Sequence, residues 1–355
     1  MPAGAARPGR PHPAVAATRL AVRKALTSAH GSVVPPGGLV LAACSGGPDS
    51  LALAAATAFE APKLGLRAGG VTVDHGLQPG SAAQASRVAR TLRDLGLDPV
   101  CQVLAEVAQR QDGLAYPGPE AAARHARYAA FEVIVTESGA SAIMLGHTMD
   151  DQAETMLLGL ARGSGARSIS GMAPVTGRYL RPLLGLRRAD TVAACAALDL
   201  RPWHDPANAD DAYRRTRVRM RILPLMEELI GPGVTESLAR TADQLRADAD
   251  ALDDLAARAA DSLTGGWPPP GQAGRRSVSV AAAAELSAAV RARLLKRAAV
   301  LAGVPAGSIT AGHVADLDAL ITDWHGQRWL DLPGGVRCAR RYGRLHFTRG
   351  SPTGG

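Results

Sequence analysis

The most constraining stretch of this chain is a short apolar run, Leu39 to Ala43, that passes through Cys44 into Ser45-Gly46-Gly47-Pro48-Asp49-Ser50 and then into an apolar, helix-like segment ending near Phe59. Few structures satisfy a strand that turns through two glycines directly into a helix. The glycines let the backbone approach a ligand closely, and the amides of a helix N-terminus are donors for an anion. Pro48 suits a first helical turn, where its missing N–H costs nothing. Ser45 and Ser50 add hydroxyls. Asp49 makes sense beside an anion if a Mg2+ ion bridges it to phosphate; an ordinary capped turn would use the same residues only to close the helix. The loop is neither a Walker A loop, which requires GKS or GKT, nor a GxGxxG turn.

The same punctuation continues downstream. Gly69 to Val73 reads as a strand ending at Asp74-His75-Gly76, with a helix over 81–94 and a strand over 99–104. Residues 105–118, with Gly113 and Pro117, read as a loop, and Glu120 to Val135 as a helix. Ala142 to Leu145 is a strand meeting Gly146-His147, and a helix follows from Asp150 to Leu160. Short strands alternating with helices predict an α/β fold, a mostly parallel sheet flanked by helices. Right-handed crossovers bring the named strand ends to one edge, where ligands bind in open α/β sheets.

Outside this region the character changes. Residues 1–35 read as a tail with a short helix from Val15 to Leu26; 36–215 form the α/β domain; 216–355 form a mainly helical second domain with a small C-terminal β element. Helices are expected over Arg217–Ile230, Thr235–Leu263, Ala281–Ala302 and Ala311–Ile321. Gly265 to Gly274, with three consecutive prolines, reads as a linker, and 329–347 as short strands around a turn.

Three further groups carry chemistry. Asp74 and His75 stand just past a strand, placed to face a ligand. In Gly146-His147-Thr148-Met149-Asp150-Asp151-Gln152-Ala153-Glu154-Thr155, helical spacing puts Asp151 and Thr155 on one face, Asp150 and Glu154 on its neighbour, and His147 within reach of Asp151. First-turn capping accounts for one aspartate, not for the whole set. Arg162 and Gly163 open a flexible basic loop, and Arg181 precedes Pro182, which restricts its backbone. Between Tyr213 and Leu223 five arginines fall within eight residues, among them Arg215, Arg217 and Arg219, a density suited to holding phosphates rather than reading bases. Trp203 is a candidate for stacking on a base or for a core position.

Composition agrees with a polyanionic partner. The chain has 355 residues and a formal charge of +8, and of 40 basic residues only Lys24, Lys63 and Lys296 are lysines. Arginine's planar fork suits phosphate, although the abundance of Ala, Gly and Pro also points to a general compositional bias. Cys44, Cys101, Cys195 and Cys338 are far apart with no CxxC, which argues against structural zinc and fits a reducing compartment. No stretch reaches the roughly 18 apolar residues of a membrane span, and the N-terminus lacks an apolar signal core, so the cytoplasm is expected.

SGGPDS at 45–50 resembles the PP-loop of the N-type ATP pyrophosphatases, which cleave ATP between the α and β phosphates and adenylate an oxygen that a nucleophile then displaces. VDHGL at 73–77, GHTMDDQAET at 146–155, LARGSG at 160–165, GM at 171–172, RPLL at 181–184 and the segment WHDPAN through RTRVR at 203–219 narrow the resemblance, in order and spacing, to the tRNA(Ile)-lysidine synthases. LDLPGG at 330–335 is similar to that family's C-terminal region. The resemblance implies ATP and Mg2+ as cofactors, and free L-lysine and the CAU-anticodon isoleucine tRNA as partners. It implies adenylation of O2 of the wobble cytidine, followed by attack of the lysine ε-amine on C2. It assigns Asp49 to the metal, Asp49, His147 and Asp151 to catalysis, and Ser45–Ser50, Asp74, His75, Arg162 and Gly163 to the nucleotide. Asp150, Glu154, Arg181, Arg215, Arg217 and Arg219 go to the tRNA or lysine, and 216–355 to tRNA binding. A homodimer is plausible on the helical half.

Three positions depart from the family pattern: Gln78 where a basic residue is usual, Ile169-Ser170 before Gly171-Met172, and Thr216 between Arg215 and Arg217. They bear on tRNA contact, not on the reaction class. A PP-loop tRNA thiolase would activate a base identically but requires sulfur-handling cysteines or an iron–sulfur cluster, and a non-catalytic tRNA-binding protein would have no use for Asp49, His147 and Asp151 together.

Overall fold

A computed structural model describes residues 10–74, 76, 80–105, 110–111, 114–115, 119–163, 165–203, 213–264 and 276–349. The backbone divides into two compact units, Met1–Leu245 and Arg246–Gly355. In chain order the first comprises α1 (Pro13–Ala29), β1 (Leu39–Ala43), α2 (Pro48–Glu60), β2 (Arg67–Asp74), α3 (Ser81–Asp94), β3 (Val100–Leu104), the two-residue strands β4 (Arg110–Gln111) and β5 (Leu114–Ala115), α4 (Pro119–Ser138), β6 (Ala142–Met144), α5 (Met149–Leu160), α6 (Ala166–Ile169), β7 (Val175–Thr176), β8 (Tyr179–Leu180), α7 (Arg188–Ala197), α8 (Arg214–Arg217) and α9 (Leu223–Leu229). The division falls inside α10 (Val234–Thr264).

The main sheet has the order β3-β2-β1-β6-β8-β7. Its strands pair in parallel except for the β7–β8 hairpin. The residues of β1 show why it lies at the centre. Leu39 and Leu41 pack with Phe131 and Ile134 of α4, whereas Val40, pointing to the other face, packs with Val22 and Leu26 of α1 and Leu53 of α2. A strand covered on both faces reads as an unbroken apolar run rather than an alternating one. Each large side chain so buried contributes about 1.5–3 kcal/mol. Because β2 and β3 extend to one side of β1 and β6 and β8 to the other, the chain reverses direction across the sheet between β1 and β6. A crevice opens at the carboxyl ends of strands at such a point.

Several expected boundaries move. The N-terminal helix is not a separate appendage: α1 packs against α2 and α7. The first unit extends past residue 215 because Arg215 and Arg219 are ion-paired to Glu154 of α5. The stretch 105–118 contains the β4–β5 hairpin. The second unit holds β9 (Arg276–Ser279), α11 (Val280–Ala284), α12 (Ala288–Leu301), α13 (Ala311–Thr322), β10 (Leu330–Leu332), β11 (Val336–Arg341) and β12 (Arg344–Arg349). The helix expected over Ala281–Ala302 breaks at Ser287, the N-cap of α12. The antiparallel sheet β10-β11-β12-β9 and its helices share a core that includes Val278, Leu294, Leu295, Leu317, Leu345 and Phe347. The expected linker at 265–274 lies outside the described residues. Among those described, no helix is long and apolar enough to cross a membrane.

Candidate active site

The turn after β1 is built to leave room. Ser50 Oγ donates to the Gly47 carbonyl at 2.9 Å and accepts from the Ser45 amide at 3.2 Å, which folds the loop onto the first turn of α2. Pro48 occupies that turn. Gly46 has φ 89°, and a Cβ there would stand 2.8 Å from Val88 Cγ2, so this glycine is required by the fold. Gly47 is different. Its φ of −74° suits any residue, and a Cβ would meet only Ser45 Oγ, at 3.8 Å. The missing side chain at 47 therefore leaves open space above the N-terminus of a 13-residue helix, a cradle that suits a phosphate group.

Beside the loop, β6 delivers the second constellation. A Cβ on Gly146 would lie 3.1 Å from the backbone of Asp49 and Ser50, so the start of the 146–155 motif abuts the start of α2. The Asp151 carboxylate closes α5 on itself: Oδ2 accepts from the Thr148 amide at 2.8 Å and from Thr148 Oγ1 at 3.0 Å. Burial opposes its ionisation, but Arg188, Arg215, His147 and the Thr148 amide outweigh that, and its pKa lies below the ordinary value. Nδ1 of His147 is buried with no hydrogen-bond partner among the described residues. Burial drives the pKa of His147 down to about 4, with Arg181, Arg124 and Arg215 adding to the push and Asp151 opposing it. The imidazole is neutral at neutral pH.

Two further elements, α7 and the arginine-rich segment, complete the cleft. α7 presents Arg188, whose Nε donates to Asp49 Oδ2 at 3.0 Å and whose other nitrogens lie 3.4 Å from Asp151 Oδ1 and 3.8 Å from Glu154 Oε1. Thr191 donates to Asp49 Oδ1. Burial raises the pKa of Asp49 while Arg188 and Thr191 hold it down. Asp150 accepts from the Arg188 amide at 2.7 Å, capping α7. From the arginine-rich segment, Arg215 Nε donates to Glu154 Oε2 at 2.9 Å and Nη2 to Thr155 Oγ1 at 2.7 Å. Arg219 grips both oxygens of Glu154, at 2.6 and 3.0 Å. Glu154 is fully buried. The five arginines thus divide by helical spacing: Arg215 and Arg219 turn inward, while Arg214, Arg217 and Arg221 are exposed. Thr216 is buried between them.

The remaining expected residues scatter. Asp74 is buried and accepts from the Gly76 amide at 2.9 Å; His75 and Gln78 lie outside the described residues. Arg162 and Gly163 form an exposed turn after α5. Arg181 is spent locally, its Nη1 donating to the Ala173 carbonyl at 2.8 Å and to Thr176 Oγ1 at 3.0 Å. The backbone of Trp203 donates to the Gly46 carbonyl at 2.8 Å, tying this segment to the loop. Two motifs are linked directly: the Gln152 amide accepts from Met172 N at 2.6 Å and donates to Met172 O at 2.9 Å. Gly171, at φ 64°, leaves room for it.

A cavity of about 230 Å3 adjoins the network, lined by Asp150, Glu154, Arg187, Arg219, Leu223, Pro224, Glu227 and Thr235. A protein-held magnesium ion does not fit this arrangement. Both oxygens of Asp49 are engaged by Arg188 and Thr191, and among the described residues there is no group of three or more His, Cys, Asp or Glu that could hold a metal.

Comparison with known proteins agrees with this geometry. A family model described as a PP-loop domain matches residues 22–226, and one described as a TilS substrate binding domain matches 279–346. The tRNA(Ile)-lysidine synthase of Thermobifida fusca is 54% identical over 335 residues, covering 94% of this chain and 98% of that protein. The protein of the same name from Streptomyces coelicolor is 49% identical over 367 residues, covering 96% and 99%. Among solved structures, the U34-tRNA thiolase NcsA from Methanococcus maripaludis with its 4Fe–4S cluster aligns with a TM-score of 0.54 at 17% identity, over 65% of this chain and 79% of that one, a likeness of fold alone. With a PP-loop turn and the HTMDDQAET helix meeting in one crevice, and relatives this similar over nearly its whole length, the chain belongs to the tRNA(Ile)-lysidine synthase family of PP-loop enzymes.

Proposed function

We propose that this enzyme ligates L-lysine to C2 of the wobble cytidine of the CAU-anticodon isoleucine tRNA, using ATP. The observation that carries the reading is the meeting of Gly146 with the backbone of Asp49 and Ser50, because it brings the turn after β1 and the segment from His147 to Glu154 to the same crevice. In the first step O2 of cytosine attacks the α-phosphate and pyrophosphate leaves. In the second the lysine amine attacks C2, the C2–O2 bond breaks with AMP as leaving group, and the amine loses a proton. Adenylation is what turns a poor oxygen leaving group into a good one.

The roles of this chain's residues follow from their surroundings. The α2 N-terminus and the open floor at Gly47 hold the phosphates and favour the charge that develops on pyrophosphate. Magnesium is read as travelling with the nucleotide. Lysine's amine, with an ordinary pKa of about 10.4, reacts only when neutral. His147, neutral with an unfilled buried nitrogen, is suited to orient the base or the amine by a hydrogen bond. A group with a pKa near 4 does not retain a proton at neutral pH, so His147 positions rather than stores one. We assign free lysine to the cavity beside Glu154. Its carboxylates suit an ammonium group, Arg187 suits a carboxylate, and Leu223 and Pro224 suit the methylene chain. The exposed Arg214 and Arg217, and the domain over 279–346, are assigned to tRNA. The setting is read as cytoplasmic.

Incubation with ATP, radiolabelled lysine and a transcript of the CAU-anticodon isoleucine tRNA tests the reading. Label is expected in the tRNA with stoichiometric AMP. No label, together with thiolation when a sulfur donor is supplied, would replace it with the thiolase reading.

A further inference from the structure

Among the groups of the network that lie outside the loop and the HTMDDQAET motif, Arg188 joins the two. Arg188 sits at the first position of α7, anchored through its amide to Asp150 at 2.7 Å. Its guanidinium spans two helices that open from the neighbouring strands β1 and β6. It bonds Asp49 of α2 at 3.0 Å, lies 3.4 Å from Asp151 of α5, and reaches Glu154 at 3.8 Å. Burial opposes its charge, yet the carboxylates outweigh burial and keep it protonated. The immediate charges balance, with Asp49, Asp151 and Glu154 set against Arg188, Arg215 and Arg219. A divalent ion joining Asp49 here would leave the cluster doubly positive and would face a guanidinium at contact distance, a penalty that the partial exposure of Arg188 and Asp49 screens only in part.

We propose that Arg188 is a positioning residue that serves as the built-in cation of the cleft, fixing Asp49 and Asp151 in one orientation and denying Asp49 to any divalent metal until nucleotide phosphates arrive. It follows that the nucleotide-free protein has no metal site at Asp49, and that removing the guanidinium charge creates one. The inference deepens the reading of the crevice as an ATP site and does not depend on which base is modified.

The test is a Mn2+ titration of the full chain followed by electron paramagnetic resonance, with no ATP and no tRNA, so its failure would leave the ligase reading untouched. The wild type and Arg188→Lys are expected to take up Mn2+ only weakly. Arg188→Gln is expected to bind at least tenfold more tightly, and the double variant Asp49→Asn/Arg188→Gln to lose that gain. Micromolar Mn2+ binding by the wild type that Asp49→Asn abolishes would overturn the proposal, whether or not Arg188→Gln folds. So would an Arg188→Gln protein with wild-type circular dichroism and melting that shows no gain, or a gain that survives Asp49→Asn.

Discussion

Replacing Glu154 with Gln removes one negative charge at a position with no solvent exposure, while leaving the shape of the side chain intact. Four charge-assisted contacts weaken at once: Arg215 at 2.9 Å, Arg219 at 2.6 and 3.0 Å, and Arg188 at 3.8 Å. Taking away one partner of a buried ion pair costs about 3–5 kcal/mol, because the other charge is left uncompensated. Here the arginines keep 23–25% of their side-chain surface in water, so solvent recovers part of the loss and the low end applies, about 3 kcal/mol. For a unit of this size that is a fall in melting temperature of roughly 6–12 °C. Differential scanning calorimetry is the assay, because it resolves the transitions of two compact units. Glu228→Gln, at an exposed position, is the control and is expected to change stability by less than about 0.5 kcal/mol. An Glu154→Gln protein that melts within about one degree of the wild type would refute the reasoning, since the guanidinium cluster would then need no buried anion.

Gly47→Ala is expected to fold with unchanged stability, since its backbone is unstrained and nothing lies within 3.8 Å of the added methyl, yet to lose at least about tenfold in ATP affinity by calorimetric titration, because the methyl fills the cradle. Because the folded pKa of His147 lies near 4, below its ordinary 6.5, the unfolded chain binds the extra proton between those values. The stability from the neutral imidazole is therefore complete above about pH 6.5 and lost as pH falls through about 4, and a urea-midpoint series for the wild type against His147→Gln reads it. Activity requiring neutral His147 should likewise show no inflection near 6.5. Arg214→Gln with Arg217→Gln is expected to weaken tRNA binding and lower its salt slope by up to about two, measured by filter binding at several salt concentrations. Arg219→Gln, whose side chain is committed to Glu154, should instead lower stability, which calorimetry detects.

Where chemistry and local pattern coincide, the sequence was a sufficient guide. Leu39–Ala43 and the SGGPDS turn fold as read because an apolar strand, two glycines and a proline at the helix start leave little local choice. His147, Asp151 and Glu154 share a helix start, as their spacing requires. α7 is not among the elements expected from the sequence. Asp190, which accepts from the Arg187 amide at 2.9 Å, was the readable sign of a helix N-terminus. With α7 went Arg188 and Thr191, and so the true partners of Asp49. For the arginine cluster a count of charges carries no direction; the four-residue spacing of Arg215 and Arg219, set against Arg214, Arg217 and Arg221, separates the inward pair from the outward three. Long-range pairs such as Gln152 with Met172 have no local signature at all.

In the proposed reaction the base, not the amino acid, is activated. Incubating the enzyme with the isoleucine tRNA transcript and ATP labelled in its α-phosphate, while withholding lysine, isolates that step. Label that co-migrates with the tRNA and is chased off as AMP when lysine is added is the predicted result. Label that appears only once lysine is present, as a lysyl adenylate free of tRNA, would contradict it.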